Sequence, residues 1–201
     1  MTDLRIGAVV LAAGSARRFG ADKRLQPFAD STVAQTTINK YSAVFDDVRV
    51  VVRDESDPLF QALVSNGSLD IVFSPESHLG MGHSLAAGFE DLDWDYAFLA
   101  LADMPLIAID TLKLLKKRSL ENGQGIIRLQ FEQDTRGHPI GFPKTFFDEL
   151  AKCRGDEGAR HILAVHSDQV QFIQCADKGV IQDIDTPAAL IEAENLGRPT
   201  S

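Results

Sequence analysis

The chain has 201 residues, of which 44% are hydrophobic and 24% are charged, and its formal net charge at pH 7 is −9. Its apolar content is that of a globular domain and it contains two cysteines, which excludes a disordered chain, a collagen-like chain and a disulfide-stapled scaffold. The acidic balance argues against nucleic-acid and membrane partners, and no apolar run reaches the roughly 20 residues of a membrane span, so we expect a cytoplasmic protein.

Short β-branched runs alternate with segments of helical period along the chain. The predicted strands are Ile6–Leu11, Val48–Val52, Ile71–Ser74, Tyr96–Leu101, Ile126–Leu129, Val170–Ile173 and Val180–Ile184. The predicted helices are Ser31–Val44, Pro58–Ser65, His83–Asp91, Asp110–Asn122, Pro143–Lys152, Ala159–His166 and Pro187–Leu196. Strand–helix–strand units imply crossover connections, so the pattern predicts a Rossmann-like, three-layer α/β/α fold with a mostly parallel sheet.

The rhythm weakens between Arg128 and about Val170, where glycines and prolines interrupt it. Irregular stretches within an α/β domain often face a substrate. We therefore predict one domain over residues 1–197 with an irregular, substrate-facing region in its second half, from about 126, and a tail at 198–201.

The first candidate site follows the first predicted strand. The segment Gly14–Leu25 carries four basic residues against one acidic residue, a net charge of +3 in a chain whose remainder carries −12. Gly14 and Gly20 can turn backbone N–H groups toward an anion, and Arg18 and Lys23 add mobile positive charge. The spacing matches neither a Walker A loop nor GxGxxG. The alternative is a basic surface loop.

Acidic residues supply the second candidate site. Asp103 follows the strand Tyr96–Leu101, and ligands of open α/β sheets bind beyond the carboxyl ends of strands. Carboxylates, phosphate oxygens and waters are the ligands that Mg²⁺ prefers. The alternative role of Asp103 is to form a turn before Pro105. The alternative role of Asp183 and Asp185 is to stabilise the N-terminus of the helix that is predicted to begin at Pro187.

A glycine-rich stretch, Gly80-Met-Gly-His-Ser, leads into a predicted helix. Free N–H groups at such a helix start can bind phosphate or the edge of a base. Ser84 has an N-cap as its alternative role.

Six motifs, taken in order, resemble those of the MobA-like nucleotidyltransferases, which include molybdenum cofactor cytidylyltransferase and its guanylyltransferase relative. The first, LAAGxxxRxGxxK, is present as Leu11-Ala-Ala-Gly14 with Arg18, Gly20 and Lys23. The others are Gly80-Met-Gly-His-Ser-Leu-Ala-Ala-Gly88, Leu101-Ala-Asp-Met-Pro105, Arg136-Gly-His-Pro139, Gly155-Asp-Glu-Gly-Ala-Arg160 and Asp183-Ile-Asp-Thr-Pro187. Together they span nearly the whole chain. They point to the cytidylyltransferase branch and to an α/β fold of the nucleotide-diphospho-sugar transferase type.

The resemblance implies a role for each matching residue, with a nucleotide-binding half at about 1–125 and an acceptor-binding half at about 126–197. The implied catalytic residues are Arg18, Lys23 and Asp103, and the implied Mg²⁺ ligands are Asp103 and Asp185, with Asp183 as the alternative to Asp185. The implied nucleotide-binding residues are Leu11, Ala12, Ala13, Gly14, Gly20, Lys23, Gly82 and Ser84. The implied acceptor-binding residues are Arg136, His138, Asp156 and Arg160.

The implied reaction transfers a nucleoside monophosphate from a nucleoside triphosphate to a phosphorylated small molecule and releases pyrophosphate. CTP and a molybdopterin-type acceptor are favoured, because guanylyl members usually carry glycine at the position of Ala13, where a methyl group narrows the space beside the base. The product would pass to a molybdenum hydroxylase. The alternatives are a GTP-using guanylyltransferase, an NADP-dependent reductase of a heteroaromatic substrate and a non-catalytic nucleotide sensor.

Overall fold

Helices cover both faces of a seven-stranded sheet in the computed structural model, which describes residues 4–14, 19–64, 67–132 and 135–197. The strands are β1 (Ile6–Leu11), β2 (Pro27–Phe28), β3 (Ser31–Thr32), β4 (Asp47–Val52), β5 (Asp70–Phe73), β6 (Tyr96–Leu101), β7 (Ile126–Phe131), β8 (Thr135–Pro143) and β9 (Val170–Cys175). The helices are α1 (Val33–Ser42), α2 (Pro58–Leu63), α3 (Met81–Phe89), α4 (Ile109–Asn122), α5 (Phe147–Leu150), α6 (Arg160–Val165) and α7 (Pro187–Gly197).

The strand order in the sheet is β5-β4-β1-β6-β8-β7-β9, and β2 and β3 form a separate two-stranded ribbon. β8 runs antiparallel to its neighbours β6 and β7, while the other adjacent strands are parallel. Crossover helices connect the parallel strands, as the alternation of elements requires. The predicted three-layer α/β fold with a mostly parallel sheet is confirmed.

The core lies on both faces of the sheet because successive residues of a strand point in opposite directions. Val10 of β1 packs with residues of α1, α2 and α4, whereas Val9 packs with residues of α3, α5 and α6. Both valines are fully buried. A parallel strand that is buried on both sides reads as a continuous apolar run, which is how β1 appears in the sequence.

The second half of the chain departs from the sequence predictions. The stretch that we expected to be irregular contains the nine-residue strand β8, in which Gly137 leaves room for Val180: a Cβ at this glycine would lie 2.6 Å from Val180 Cγ2. The predicted strand Val180–Ile184 is wrong, because the chain forms a 3-10 turn over Lys178–Ile181. The carboxylate of Asp177 caps that turn by accepting a hydrogen bond from the Gly179 N–H at 2.9 Å.

Strands from the two predicted halves of the chain pair within one sheet, since β6 lies beside β8. The predicted division near residue 125 stays a prediction, and the predicted tail at 198–201 lies outside the described residues. Among the helices in the described ranges, none combines the length and the apolar content needed to cross a bilayer.

Candidate active site

A cavity of about 490 Å³ opens at the carboxyl ends of β1 and β6. The two strands pair up to Leu11 and Leu101, and the Ala102 N–H donates a hydrogen bond to the Leu11 carbonyl at 3.1 Å, so the chain leaves both strands side by side. Ligands bind at this end of open α/β sheets. The lining residues are Leu11, Ala12, Gly14, Lys23, Arg24, Ser77, His78, Leu79, Gly80, Met81, Ser84, Leu101, Ala102, Asp103, Asp156, Asp183 and Asp185.

The segment before α7 brings two further carboxylates to this cavity. The Ile184 N–H donates a hydrogen bond to the backbone carbonyl of Asp103 at 2.9 Å, which fixes Asp183 and Asp185 beside it. Thr186 caps α7, because its hydroxyl accepts a hydrogen bond from the Ala189 N–H at 3.1 Å. The cap therefore needs neither aspartate, and both line the cavity.

Lys23 holds two of these acids together. It lies in a 3-10 turn, Lys23–Leu25, that Asp22 caps by accepting from the Arg24 N–H. The Lys23 Nζ lies 2.5 Å from Asp103 Oδ2 and 2.5 Å from Asp185 Oδ1. Burial lowers the pKa of Lys23, but the charges and hydrogen bonds of the two carboxylates outweigh it and raise the pKa above its ordinary value. The lysine is therefore a permanent cation at this position.

Asp103, Asp183 and Asp185 form an acidic cluster in which one oxygen of each lies within 4.8 Å of the others. Burial raises the pKa of Asp183, and the negative charges of Asp185 and Asp103 raise it further. Asp103 Oδ1 is buried and has no hydrogen-bond partner among the described atoms. A buried carboxylate oxygen without a donor is a free ligand position, and oxygen ligands suit Mg²⁺ and Mn²⁺. The residues present therefore fit a divalent cation.

Arg24 differs from its neighbour Lys23 in the basic segment. Its guanidinium is buried and donates to the carboxylates of Asp22 and Asp57 and to the Ala12 carbonyl. Burial lowers the pKa of Arg24, but the two carboxylates outweigh it and the pKa is raised. One of the four positive charges of the segment Gly14–Leu25 is thus neutralised at this residue, which fixes the backbone at the end of β1.

The glycine-rich start of α3 meets the loop that precedes α6. Gly80 has a φ of 130°, and a Cβ there would lie 2.4 Å from the Gly155 carbonyl carbon. The Gly82 N–H donates to the Gly155 carbonyl at 2.7 Å, so this N–H binds the neighbouring loop. Helix α3 begins at Met81, which places Ser84 inside the helix with a buried side chain at the cavity wall. Ser84 is therefore not the N-cap.

The predicted nucleotide-binding residues at the end of β1 divide into two groups. Leu11, Ala12 and Gly14 line the cavity, as Lys23 does. Ala13 is buried in the core cluster that includes α3, and it does not line the cavity. Gly20 has the expected positive φ of 77° but also lies outside the lining. Arg18 lies outside the described residues.

The predicted acceptor-binding residues differ in whether they line the cavity. Asp156 lines the cavity, whereas Arg136, His138 and Arg160 do not. His138 is partly buried on β8, and burial together with the positive charge of Arg128 lowers its pKa to about 4. The imidazole is therefore neutral at pH 7. Arg136 places its guanidinium carbon 5.2 Å from the ring centre of Phe172 on β9.

Sequence reasoning missed part of the cavity wall and one arginine. The turn Ser77–Leu79 and Met81 line the cavity, and their position directly beside the Gly80 motif is a signal that could have found them. Arg128 of β7 acts electrostatically on His138. The neighbours of Arg128 cannot be identified from the sequence, because they depend on the antiparallel pairing of β7 with β8.

Comparison with known proteins identifies the family of the chain. The family model described as the MobA-like NTP transferase domain matches residues 8–170. The purine catabolism protein PucB of Bacillus subtilis is 29% identical over 192 residues, covering 89% of this chain and 91% of PucB. The molybdenum cofactor cytidylyltransferase of Escherichia coli is 25% identical over 189 residues, covering 94% and 95% of the two chains.

A solved structure with the same fold contains a metal. The crystal structure of Rv0371C from Mycobacterium tuberculosis H37Rv in complex with manganese has a TM-score of 0.73 and 28% sequence identity, with coverage of 95% of this chain and 98% of that chain. The matched family model spans most of the chain, including the end of β1, the acidic residue after β6 and the motifs on β8. The chain belongs to the MobA-like NTP transferase family.

Proposed function

We propose that the protein transfers a nucleoside monophosphate, with CMP favoured, from a nucleoside triphosphate to a phosphorylated acceptor of the molybdopterin type, and that it releases pyrophosphate. The observation that carries the proposal is the position of Lys23 between Asp103 and Asp185 at the wall of the cavity. One cation and two carboxylates at the carboxyl end of a parallel sheet suit a triphosphate that arrives with a divalent metal.

Each group of residues has a proposed task. The nucleotide lies against the backbone of Leu11, Ala12 and Gly14, and Lys23 neutralises its phosphate oxygens together with Arg18. The further nucleotide contacts are Ala13, Gly20, Gly82 and Ser84. A Mg²⁺ held by Asp103 and Asp185 would supply further neutralisation of the triphosphate charge. The acceptor lies toward Arg136, His138, Asp156 and Arg160.

The transfer itself needs no protein nucleophile. An oxygen of the acceptor phosphate forms a bond to the α-phosphorus, the bond from that phosphorus to the β-phosphate bridging oxygen breaks, and pyrophosphate leaves with the electron pair. A phosphate monoester is already largely ionised at neutral pH, since its second pKa is about 6. Catalysis then comes from alignment and from the positive charge of Lys23.

The choice of CTP rests on the likeness to cytidylyl members and not on a contact. The methyl group of Ala13 packs in the core, so the proposed narrowing beside the base has no support from its position. The name of the Escherichia coli relative supports cytidylyl transfer and a molybdenum cofactor as acceptor. A molybdenum hydroxylase is the proposed recipient of the product. Competition between CTP and GTP for binding in the presence of Mg²⁺ tests the base directly, and tighter binding of GTP would overturn the preference.

The reaction is tested by a screen for pyrophosphate release, with the four ribonucleoside triphosphates combined with molybdopterin, sugar phosphates and polyol phosphates. We expect release that requires both CTP and an acceptor. The Lys113→Ala protein, changed on the exposed side of α4, is a suitable control. Nucleotide binding without release in any combination would favour a sensor, and binding of NADPH in its place would favour a reductase.

A further inference from the structure

A second group of positive charges lies on the sheet face that carries α3, α5 and α6. Arg128 of β7 is paired in register with Ile140 of β8 and with Phe172 of β9, and residues directly opposite in adjacent strands share a face. Ile140 belongs to the core cluster that includes residues of α3, α5 and α6. The side chain of Arg128 therefore extends toward the side on which α6 begins.

Two further arginines belong to the same group. Arg136 stacks over the ring of Phe172, which is 44% exposed, and Arg160 is the first residue of α6. Burial lowers the pKa of Arg128, and the positive charges of Arg136 and Arg160 lower it further. Within the described part of the chain, no carboxylate forms an ion pair with any of the three arginines.

One buried nitrogen atom in this group, Nε of Arg128, has no hydrogen-bond partner among the described atoms. A buried donor without an acceptor is unfavourable, and buried charges are normally paired. This group therefore has the donors and the positive charge that an anion would satisfy, in a protein whose net charge is −9.

The arginine group adjoins the cavity of the candidate active site. β8 runs antiparallel beside β6 with Ile140 paired to Leu99, so His138 lies toward the carboxyl end of β6, which Asp103 follows. Arg160 follows directly after the loop that contains Asp156, a residue of the cavity wall. A ligand bound at the arginines therefore lies next to the cavity.

We propose that Arg128, Arg136 and Arg160 form a subsite that binds the phosphate monoester of the acceptor substrate. The inference rests on the proposed function, because that function supplies a phosphorylated acceptor. Guanidinium groups suit this ligand, since their planar N–H donors match the oxygens of a phosphate in a bidentate arrangement. Arg128 is the residue that this subsite adds to the acceptor contacts implied by the family.

The arginine Nε–H resonances of the full-length protein test the subsite without requiring catalysis. Inorganic phosphate is titrated at constant ionic strength, with chloride as the comparison anion. In the wild type, we expect phosphate to shift the Nε–H signals of Arg128 and Arg136. In the Arg128→Met protein, we expect the shift at Arg136 to be lost. The matched control is Arg5→Gln, which removes one positive charge beside the amino end of β1, where Arg5 pairs with Asp47. Absence of a shift at Arg128 would overturn the subsite.

Kinetics then separate the acceptor from the nucleotide. In Arg128→Met and in the exposed Arg160→Gln, we expect the KM for the acceptor to rise at least about tenfold, which corresponds to the loss of one charged hydrogen bond. The KM for the nucleotide should stay unchanged. An equal rise in the KM for the nucleotide, or no change in either KM, would overturn the assignment to the acceptor.

The stability of Arg128→Met provides a further readout and shows whether the variant folds. Since Arg128 is half-buried without a counter-charge, we expect a Tm above that of the wild type in phosphate-free buffer and no further rise on adding phosphate. A phosphate response at Arg128 with no pyrophosphate release from any nucleotide would overturn the proposed transfer and support the anion subsite. Pyrophosphate release with unchanged acceptor KM in both variants would support the transfer and overturn the subsite.

Discussion

The Nζ of Lys23 lies 2.5 Å from Oδ2 of Asp103, although the two residues are 80 positions apart in the chain. Their side chains are 14% and 16% exposed, so water screens this ion pair less than it screens a surface pair. The same ammonium group contacts Asp185, and a divalent cation would compete with it for both carboxylates. A divalent cation bound there would share this pair of acids with the lysine, and we expect a nucleotide phosphate to give the lysine a further partner.

We expect Lys23→Ala to bind Mn²⁺ several-fold more tightly than the wild type in the absence of nucleotide. The substitution removes the cation that neutralises Asp103 and Asp185. Titration of Mn²⁺ followed by electron paramagnetic resonance measures the affinity, with Lys113→Ala as the control of equal charge change. An affinity that is unchanged or weaker would show that the lysine does not compete with the metal.

The same Lys23→Ala substitution should lower turnover by about 10²–10³-fold, since one preorganised positive group is typically worth that much. Asp103→Asn should also lose most of its turnover, because it removes a negative oxygen ligand. Pyrophosphate release under saturating Mg²⁺ measures both effects, and circular dichroism checks that each protein is folded. Release near the wild-type rate from a folded variant would remove that residue from the mechanism.

The buried pair of Arg24 and Asp57 should control stability. We expect Asp57→Leu to lower the free energy of unfolding by about 3–5 kcal/mol, because it leaves the buried guanidinium with less counter-charge. The double variant with Arg24→Met should recover part of that loss. Urea unfolding measures these changes, and Arg53→Gln, at a half-exposed partner of Asp57, should cost about 1 kcal/mol or less. A small loss in Asp57→Leu would contradict a structural role for the pair.

His138 predicts a specific dependence of stability on pH. Its pKa of about 4 in the folded protein lies below the ordinary value of about 6.5, so the folded state binds the proton less tightly than the unfolded state. Its contribution to stability is complete above pH 6.5 and is lost as the pH falls toward 4. Between pH 7 and pH 4, we expect the free energy of unfolding to fall by about 2–3 kcal/mol more in the wild type than in His138→Gln. Urea unfolding at pH 7, 5.5 and 4 measures this difference. Parallel pH profiles for the two proteins would contradict a buried, neutral imidazole.

The sequence predicts the first part of the fold well because its strands are apolar on both faces. The predicted bounds of β1 and β6 agree with the structure, and both strands are buried runs that end at small or acidic residues. The position of Asp103 follows from the same pattern, since it lies two residues beyond Leu101, the end of β6. Its closeness to Asp185 depends on a chain reversal that no local pattern encodes, and it was implied by the family likeness.

The sequence did not predict the strand β8, because its glycines and prolines are untypical of strands. Without this strand, the neighbours of Arg128 could not be predicted either. Glycine and proline are depleted in strands, and β8 contains Gly137, Pro139, Gly141 and Pro143. Gly141 is needed because a Cβ there would lie 2.6 Å from a ring carbon of Tyr96. Without the antiparallel β8, the arginines around Arg128 cannot be placed together. The pairing of Arg24 with Asp57 was equally invisible, because 33 positions separate the two residues.

The contact between the start of α3 and the loop before α6 leaves no room for a side chain between them. The Gly82 N–H binds the Gly155 carbonyl, and Gly80 approaches the same carbonyl at a distance that a methyl group would not allow. One of these segments borders the proposed nucleotide position and the other the proposed acceptor position. We therefore expect the binding of the two substrates to be coupled, each changing the affinity for the other by the same factor, which titration of the nucleotide with and without the acceptor measures.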